Sequence, residues 1–134
     1  MASGIFKKLN LTDQKSICVL DAPDSFRQEL SSLKGVKVAE SLLAAEELAF
    51  ALAFVTRKAE VDKVAKALAK KAKGDAIVWF AYPKGTSKKY RCDFNRDTGW
   101  DVLKEGGFDT VRQVAIDEDW SALRFRRTEF IGTR

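Results

Sequence analysis

The chain reads as an α/β fold, with a mostly parallel sheet of about six strands, helices on both faces and an antiparallel hairpin at the carboxyl end. Three observations predict it. Short apolar runs alternate with segments of helical period, the order that builds a parallel sheet joined by crossover helices. The runs Ile17-Cys18-Val19-Leu20, Phe50-Ala51-Leu52-Ala53-Phe54-Val55 and Ala76-Ile77-Val78-Trp79-Phe80-Ala81-Tyr82 are continuous, as strands covered on both faces are. Near the end, alternation of period two flanks the polar triplet Asp117-Glu118-Asp119, the pattern of a hairpin.

The elements follow in order. Residues 1–15 mix apolar and polar types without a clean period and suit a leading arm or short helix. After the first strand, Pro23-Asp24-Ser25 opens a helix in which Ser25 and Gln28 form a capping box, Phe26, Leu30 and Leu33 share a face, and Gly35 lies just past the end. Val36-Lys37-Val38 makes a second strand. Residues 41–48 favour helix and 50–55 strand, with the switch near Ala49. Thr56 caps the next helix, whose stripe is Val61, Val64, Ala65, Leu68 and Ala72, and Gly74 ends it. The strand over 75–82 breaks at Pro83-Lys84-Gly85 into a loop carrying Lys84, Lys88, Lys89 and Arg91. Asn95 then caps a helix with Trp100 and Leu103, Gly99 inside it allows close packing on the sheet, and Gly106-Gly107 stops it. Residues 110–116 and 122–128 form the closing hairpin.

At 134 residues the chain has the length of a single domain over 1–134, long enough to bury a core without disulfides or metal. Its net charge of +5 favours weak attraction to polyanions, yet acids are nearly as numerous as bases and no basic block dominates, so nucleic acid is not the expected partner. There is no histidine, which removes Ser-His-Asp hydrolysis and His-bearing zinc sites. Cys18 and Cys92 are too far apart in sequence for a CxxC pair, and two free thiols suit a reducing, cytoplasmic setting. No apolar stretch has the length of a signal peptide core or a membrane span, so neither secretion nor a membrane partner is expected.

The succession of 50–55, a helix, 74–82, a helix, Gly106-Gly107-Phe108 and a closing hairpin resembles the carboxyl-terminal half of class I S-adenosylmethionine-dependent methyltransferases. Trp79 to Lys84, Gly107-Phe108 and Asp119-Trp120-Ser121-Ala122-Leu123-Arg124 resemble more closely a small bacterial family of unknown function with a shortened fold of that kind. The resemblance implies a three-layer, Rossmann-like sheet of order 2-1-3-4-6-5, lacking one strand pair of the full fold. It also implies S-adenosylmethionine as a cofactor, with Asp21 or Glu40 placed to accept ribose hydroxyl bonds. One departure matters. The turn after the first strand is glycine-rich in those enzymes because the cofactor approaches bare backbone, whereas here it is Asp21-Ala22-Pro23-Asp24-Ser25, with Pro23 removing a donor amide. No cofactor is therefore expected in the main reading, and S-adenosylmethionine belongs to the alternative.

In open α/β sheets ligands bind beyond the carboxyl ends of the strands. That places a ligand among Asp21, Pro23, Thr56, Lys84, Gly85, Lys88 and Lys89, with an anionic group as the natural guest and Tyr90 as a stacking surface. A merely solvated lysine loop accounts for the same residues, and no GxxxxGK[ST] cradle is present. Asp117, Glu118 and Asp119 read as a hairpin turn ahead of a cation site, because neighbouring side chains on extended backbone point apart. Lys37, Arg124, Arg126 and Arg127 are weak candidates to join the loop lysines in one positive surface, because alternation sets Arg124 and Arg126 on the face opposite Arg127. Trp79 and Trp100 read as core, Trp120 as a residue at a cleft or interface, Cys18 as a small buried hydrophobe. Phe130 and Ile131 beside an edge strand suit a homodimer. The main functional expectation is a non-catalytic ligand- or partner-binding protein. The alternatives are a methyltransferase with an atypical cofactor site, and weak anion or nucleic-acid binding through the basic loop.

Overall fold

The computed structural model describes residues 4–9, 11, 16–31, 33, 35–40, 48–92 and 99–131. The elements are α1 (Gly4–Lys8), β1 (Ser16–Leu20), α2 (Asp24–Ser31), β2 (Lys37–Ala39), β3 (Leu48–Phe54), α3 (Lys58–Lys71), β4 (Ala72–Pro83), α4 (Asp101–Glu105), β5 (Phe108–Ala115) and β6 (Trp120–Arg127), with a 3-10 turn over Thr128–Phe130. The expected helix over 41–48 and the Asn95 cap fall outside the described residues.

One six-stranded sheet runs β2-β1-β3-β4-β6-β5, the order the methyltransferase resemblance implies. The pairs β1–β2, β1–β3 and β3–β4 are parallel, while β4–β6 and β5–β6 are antiparallel. Continuous apolar runs give each central strand two buried faces. Phe50, Leu52, Phe54, Trp79 and Ala81 pack under α1 and α2 with Phe6, Leu9 and Phe26. Ala51, Ala53, Val78, Phe80 and Tyr82 pack on the other side with Val61, Ala65 and Leu68 of α3 and Leu103 of α4. The result is three layers, with each fully buried Leu or Phe stabilising by roughly 1.5–3 kcal/mol. Trp79, fully buried, donates its indole N–H to the Leu9 carbonyl at 2.7 Å and so ties the leading arm to the sheet.

Four local expectations are corrected. Helix α2 starts at Asp24, so Ser25 is its second residue and not its cap, and Phe26 N–H bonds to the Pro23 carbonyl at 2.9 Å. Thr56 does not accept from the helix. Its N–H and hydroxyl donate to Glu60 Oε1 at 2.9 and 3.0 Å, and Arg57 N–H joins them at 3.0 Å, so the carboxylate three residues into the chain's turn does the capping. Gly74 lies within β4, which pairs with β3 from Ala72 onward. The register slips from Leu48↔Ala72 to Phe50↔Ile77, and ladder pairing overrides the glycine stop signal. Gly99 precedes α4 at φ +89°, a turn position that suits glycine, with Trp100 at the cap.

The hairpin contains a β-bulge. Thr110 pairs with Phe125 and Arg112 with Arg124, leaving Val111 as the extra residue. Phe108 and Val114, six residues apart, would share a face in an unbroken strand. They pack instead on opposite faces of the sheet, Phe108 in the cluster under α3 and Val114 in the cluster under α1 and α2. The outer edge of β5 thus carries a bulge and the charged Asp109 and Arg112, features that blunt edge pairing. Arg127 lies over the Phe108 ring at 4.8 Å and donates to the Ala69 carbonyl at 3.1 Å, a packing role. Strands β1, β3 and β4 separate β2 from β6, so Lys37 and the carboxyl-terminal arginines do not share a surface. Among the described residues, no helix is long and apolar enough to cross a membrane.

Candidate functional site

The carboxyl edge of the sheet holds two adjoining hollows. The larger, about 1150 Å³, lies beyond β4 and is lined by Lys84, Gly85, Ser87, Lys88, Arg91 and Cys92, over a floor of Tyr82, Gln113 and Ser121. The bulge at Val111 turns Gln113 to this floor: its Nε2 donates to the Tyr82 hydroxyl and to Ser121 Oγ, each at 3.1 Å. The floor is thus uncharged and connected, and the wall is cationic.

The loop over this cavity is tied to the hairpin turn. Lys84 N–H donates to the Asp119 carbonyl at 2.8 Å, and the Ser87 hydroxyl donates to Asp119 Oδ1 at 2.9 Å. Ser87 Oγ in turn accepts from Lys89 N–H at 3.3 Å and Tyr90 N–H at 3.2 Å, folding the loop about one hydroxyl. Asp117 Oδ1 accepts from the N–H groups of Asp119 and Trp120 at 2.8 and 2.9 Å and closes the hairpin turn. Asp117 and Asp119 are therefore turn and loop machinery, with Asp117 as the residue that builds the turn. Among the described residues there is no cluster of His, Cys, Asp or Glu fit for a metal ion.

The smaller hollow, about 520 Å³, lies at the ends of β1 and β3, where the strand order reverses direction and open α/β sheets place their ligands. Its walls are Phe54, Tyr90 and Trp120, and its rim holds Asp21, Pro23, Asp24, Thr56 and Glu60. Trp120 packs edge-on against Phe54, ring centroids 5.1 Å apart, and tilted against Tyr90 at 4.9 Å. It is 3% exposed, and among the described residues its buried indole N–H has no hydrogen-bond partner. Asp21 sits at φ +55°, a left-handed conformation that costs a non-glycine residue free energy and that aspartate tolerates better than most.

The predicted site residues are divided between these hollows. Asp21, Pro23 and Thr56 gather at the crevice, while Lys84, Gly85 and Lys88 line the basic cavity, and Lys89 borders neither. Tyr90 lines both. Glu40 is held away, in an ion pair with Arg27 beside a separate shallow groove at the β2 edge. The Tyr82, Gln113 and Ser121 floor has no signature in the sequence, because its residues come from three separate strands and no run of consecutive residues carries it. Cys18 is fully buried, and desolvation pushes its thiol up from 9.0 to about 11, with Lys71 opposing the shift.

No protein-family model and no curated protein matches the sequence. Solved structures with the same fold are methyltransferases among others. An S-adenosylmethionine-dependent methyltransferase from Aquifex aeolicus aligns with a TM-score of 0.61 at 13% identity, covering 92% of this chain and 88% of its own. The N-methyltransferase NodS from Bradyrhizobium japonicum gives 0.56 at 18% identity, over 94% of this chain and 81% of that one. LepI in complex with S-adenosylmethionine gives 0.56 at 9% identity over 92% of this chain, which spans only 38% of the LepI chain. The fold of this chain is that of the Rossmann-like methyltransferases.

Proposed function

We propose that this protein is a non-catalytic small-molecule-binding protein on a methyltransferase-like fold, and that its ligand carries an anionic group held in the basic cavity. The grouping of Lys84, Lys88 and Arg91 above the hydrogen-bonding floor of Tyr82, Gln113 and Ser121 carries the reading. Charge-assisted bonds from such a wall are the strong kind, and a loop already fixed by Asp119 loses little freedom on binding. With no histidine in the sequence, the commonest general base is missing, so binding rather than turnover is the economical role.

Titration with inorganic phosphate, followed by thermal shift and calorimetry, tests this. The unaltered protein is expected to gain stability. The triple variant Lys84→Ala, Lys88→Ala, Arg91→Ala is expected to lose the response while melting within a degree or two of the parent, because these loop side chains lie outside both core clusters. Equal phosphate affinity in the two proteins rejects the reading.

A second reading rests on Asp21. Its φ of +55° gives the turn after β1 the backbone form that glycine supplies in cofactor-binding turns, and the crevice beside it joins carboxylates to aromatic rings. These residues fit the cationic sulfonium and purine of S-adenosylmethionine. Asp21 and Asp24 would hold its donor groups, and Phe54, Tyr90 and Trp120 its ring. When bound, that molecule supplies an activated methyl group. At a hundred times its dissociation constant a ligand adds about 2.7 kcal/mol of stability. An unmoved melting temperature in millimolar S-adenosylmethionine and in its demethylated product removes this reading.

A further inference from the structure

Three chemistries meet at one edge of the sheet. Cations and neutral donors form the basic cavity, carboxylates rim the crevice, and aromatic rings line it, with Tyr90 as a wall common to both. A phosphate alone uses only the first. An aromatic amine uses only the second and third.

We propose that the two hollows form one bipartite site for a nucleoside monophosphate, an inference that rests on the anion-binding reading above and names its ligand class. The phosphate lies with Lys84, Lys88 and Arg91 over Gln113, and the base enters the crevice against Tyr90 and Trp120. A purine or pyrimidine presents ring nitrogens and carbonyl oxygens as acceptors. The Trp120 indole N–H is a buried donor with no partner among the described residues, a state that is unfavourable until an acceptor arrives. Ribose hydroxyls are donors, and Asp21 and Asp24 at the rim are acceptors for them. Stacking on aromatic side chains tolerates any base, so selectivity among bases comes from the one indole bond.

This assignment also explains the sign of the charges. A free polyphosphate would meet Asp21, Asp24 and Glu60 on entering the crevice, and repulsion would confine it to the loop side. A bulky organic cation would find no complement at Lys84, Lys88 and Arg91. A molecule with a hydroxyl-bearing aromatic part and a single anionic end offers a complementary group to each of the two hollows.

Calorimetry on the full chain with inorganic phosphate, adenosine, adenosine monophosphate and a short single-stranded oligonucleotide tests the proposal. The monophosphate is expected to bind at least tenfold more tightly than either phosphate or adenosine. Trp120→Phe keeps the ring but removes the donor, and is expected to weaken the monophosphate roughly five- to tenfold, the size of one hydrogen bond, while leaving phosphate unaffected. That unchanged phosphate affinity also certifies that the variant is folded. In a nitrogen-15 spectrum, the indole resonance missing from Trp120→Phe is expected to move on adding the monophosphate and to stay fixed with phosphate. Phosphate binding as tightly as the monophosphate overturns the bipartite site but leaves the anion reading intact. No phosphate binding at all sinks the anion reading itself. An oligonucleotide that binds more tightly than the monophosphate overturns the small-molecule assignment in favour of a strand.

Discussion

The Ser87 hydroxyl donates to Asp119 Oδ1 at 2.9 Å across 32 residues of sequence, and through this bond the hairpin turn holds the basic loop. The same serine oxygen accepts from the backbone of Lys89 and Tyr90, so one side chain organises the loop on both sides. Ser87→Ala is expected to cost about 1–2 kcal/mol, the value of a part-buried hydrogen bond plus the acceptor left behind. Amide exchange at Lys89 and Tyr90 is expected to accelerate more than exchange in β4. Uniform acceleration across both segments would show instead that the loop opens only with the whole sheet.

Val111 decides which way Gln113 points. As the extra residue of the bulge it lets Phe108 enter one core cluster while Val114 enters the other, and it brings Gln113 onto the face of Tyr82 and Ser121. Deleting Val111 is expected to cost at least about 2–3 kcal/mol in urea unfolding, because a one-residue slip sends either Phe108 or Val114 and Gln113 to the wrong face. Val111→Ala removes only an exposed side chain and is expected to change stability by less than about 0.5 kcal/mol. If the deletion is as mild as the alanine variant, the bulge does not set the face.

Legibility from sequence follows the range of the interactions. The apolar runs of β1, β3 and β4 and the stripe of α3 are local patterns, and the layered sheet follows from them. The strand order followed from likeness to a family and not from residue spacing. The carboxyl edge was legible as a location, since Asp21, Thr56 and Lys84 each lie just beyond the carboxyl end of a strand. The division into an acidic crevice and a basic cavity was not, because it depends on which sheet face each loop crosses. Gln113 was hidden by the bulge, which breaks the alternation that would otherwise place it. Gly74 and Gly99 misled because a glycine announces a break in regular structure without saying whether the break is a helix end, a bulged strand or a left-handed turn.

Glu60 offers a local test of the crevice rim. Its Oε1 accepts from Thr56 N–H, Thr56 Oγ1 and Arg57 N–H, closing the turn between β3 and α3. Glu60→Ala is expected to destabilise by about 1–2 kcal/mol, as loss of a helix cap does, and Glu60→Gln by less, since an amide oxygen still accepts. Equal losses in the two variants would mean that the negative charge, acting on the helix amino end, matters more than the hydrogen bonds.

Cys18 supplies the pH dependence. Buried in β1 beneath α3, its thiol is held neutral by desolvation, and its pKa rises from 9.0 to about 11 against the pull of Lys71. The unfolded chain ionises first on going alkaline. The contribution of the neutral thiol is therefore complete below about pH 9 and is lost as pH climbs through about 11. Integrated over that window, the loss is on the order of 2–3 kcal/mol. Cys18→Ala keeps a small apolar group there, so it is expected to be less stable than the parent at pH 8 and to show a shallower decline between pH 9 and 11. Urea unfolding at half-unit steps of pH measures the difference. Parallel curves for the two proteins would show that Cys18 does not ionise on unfolding in that range.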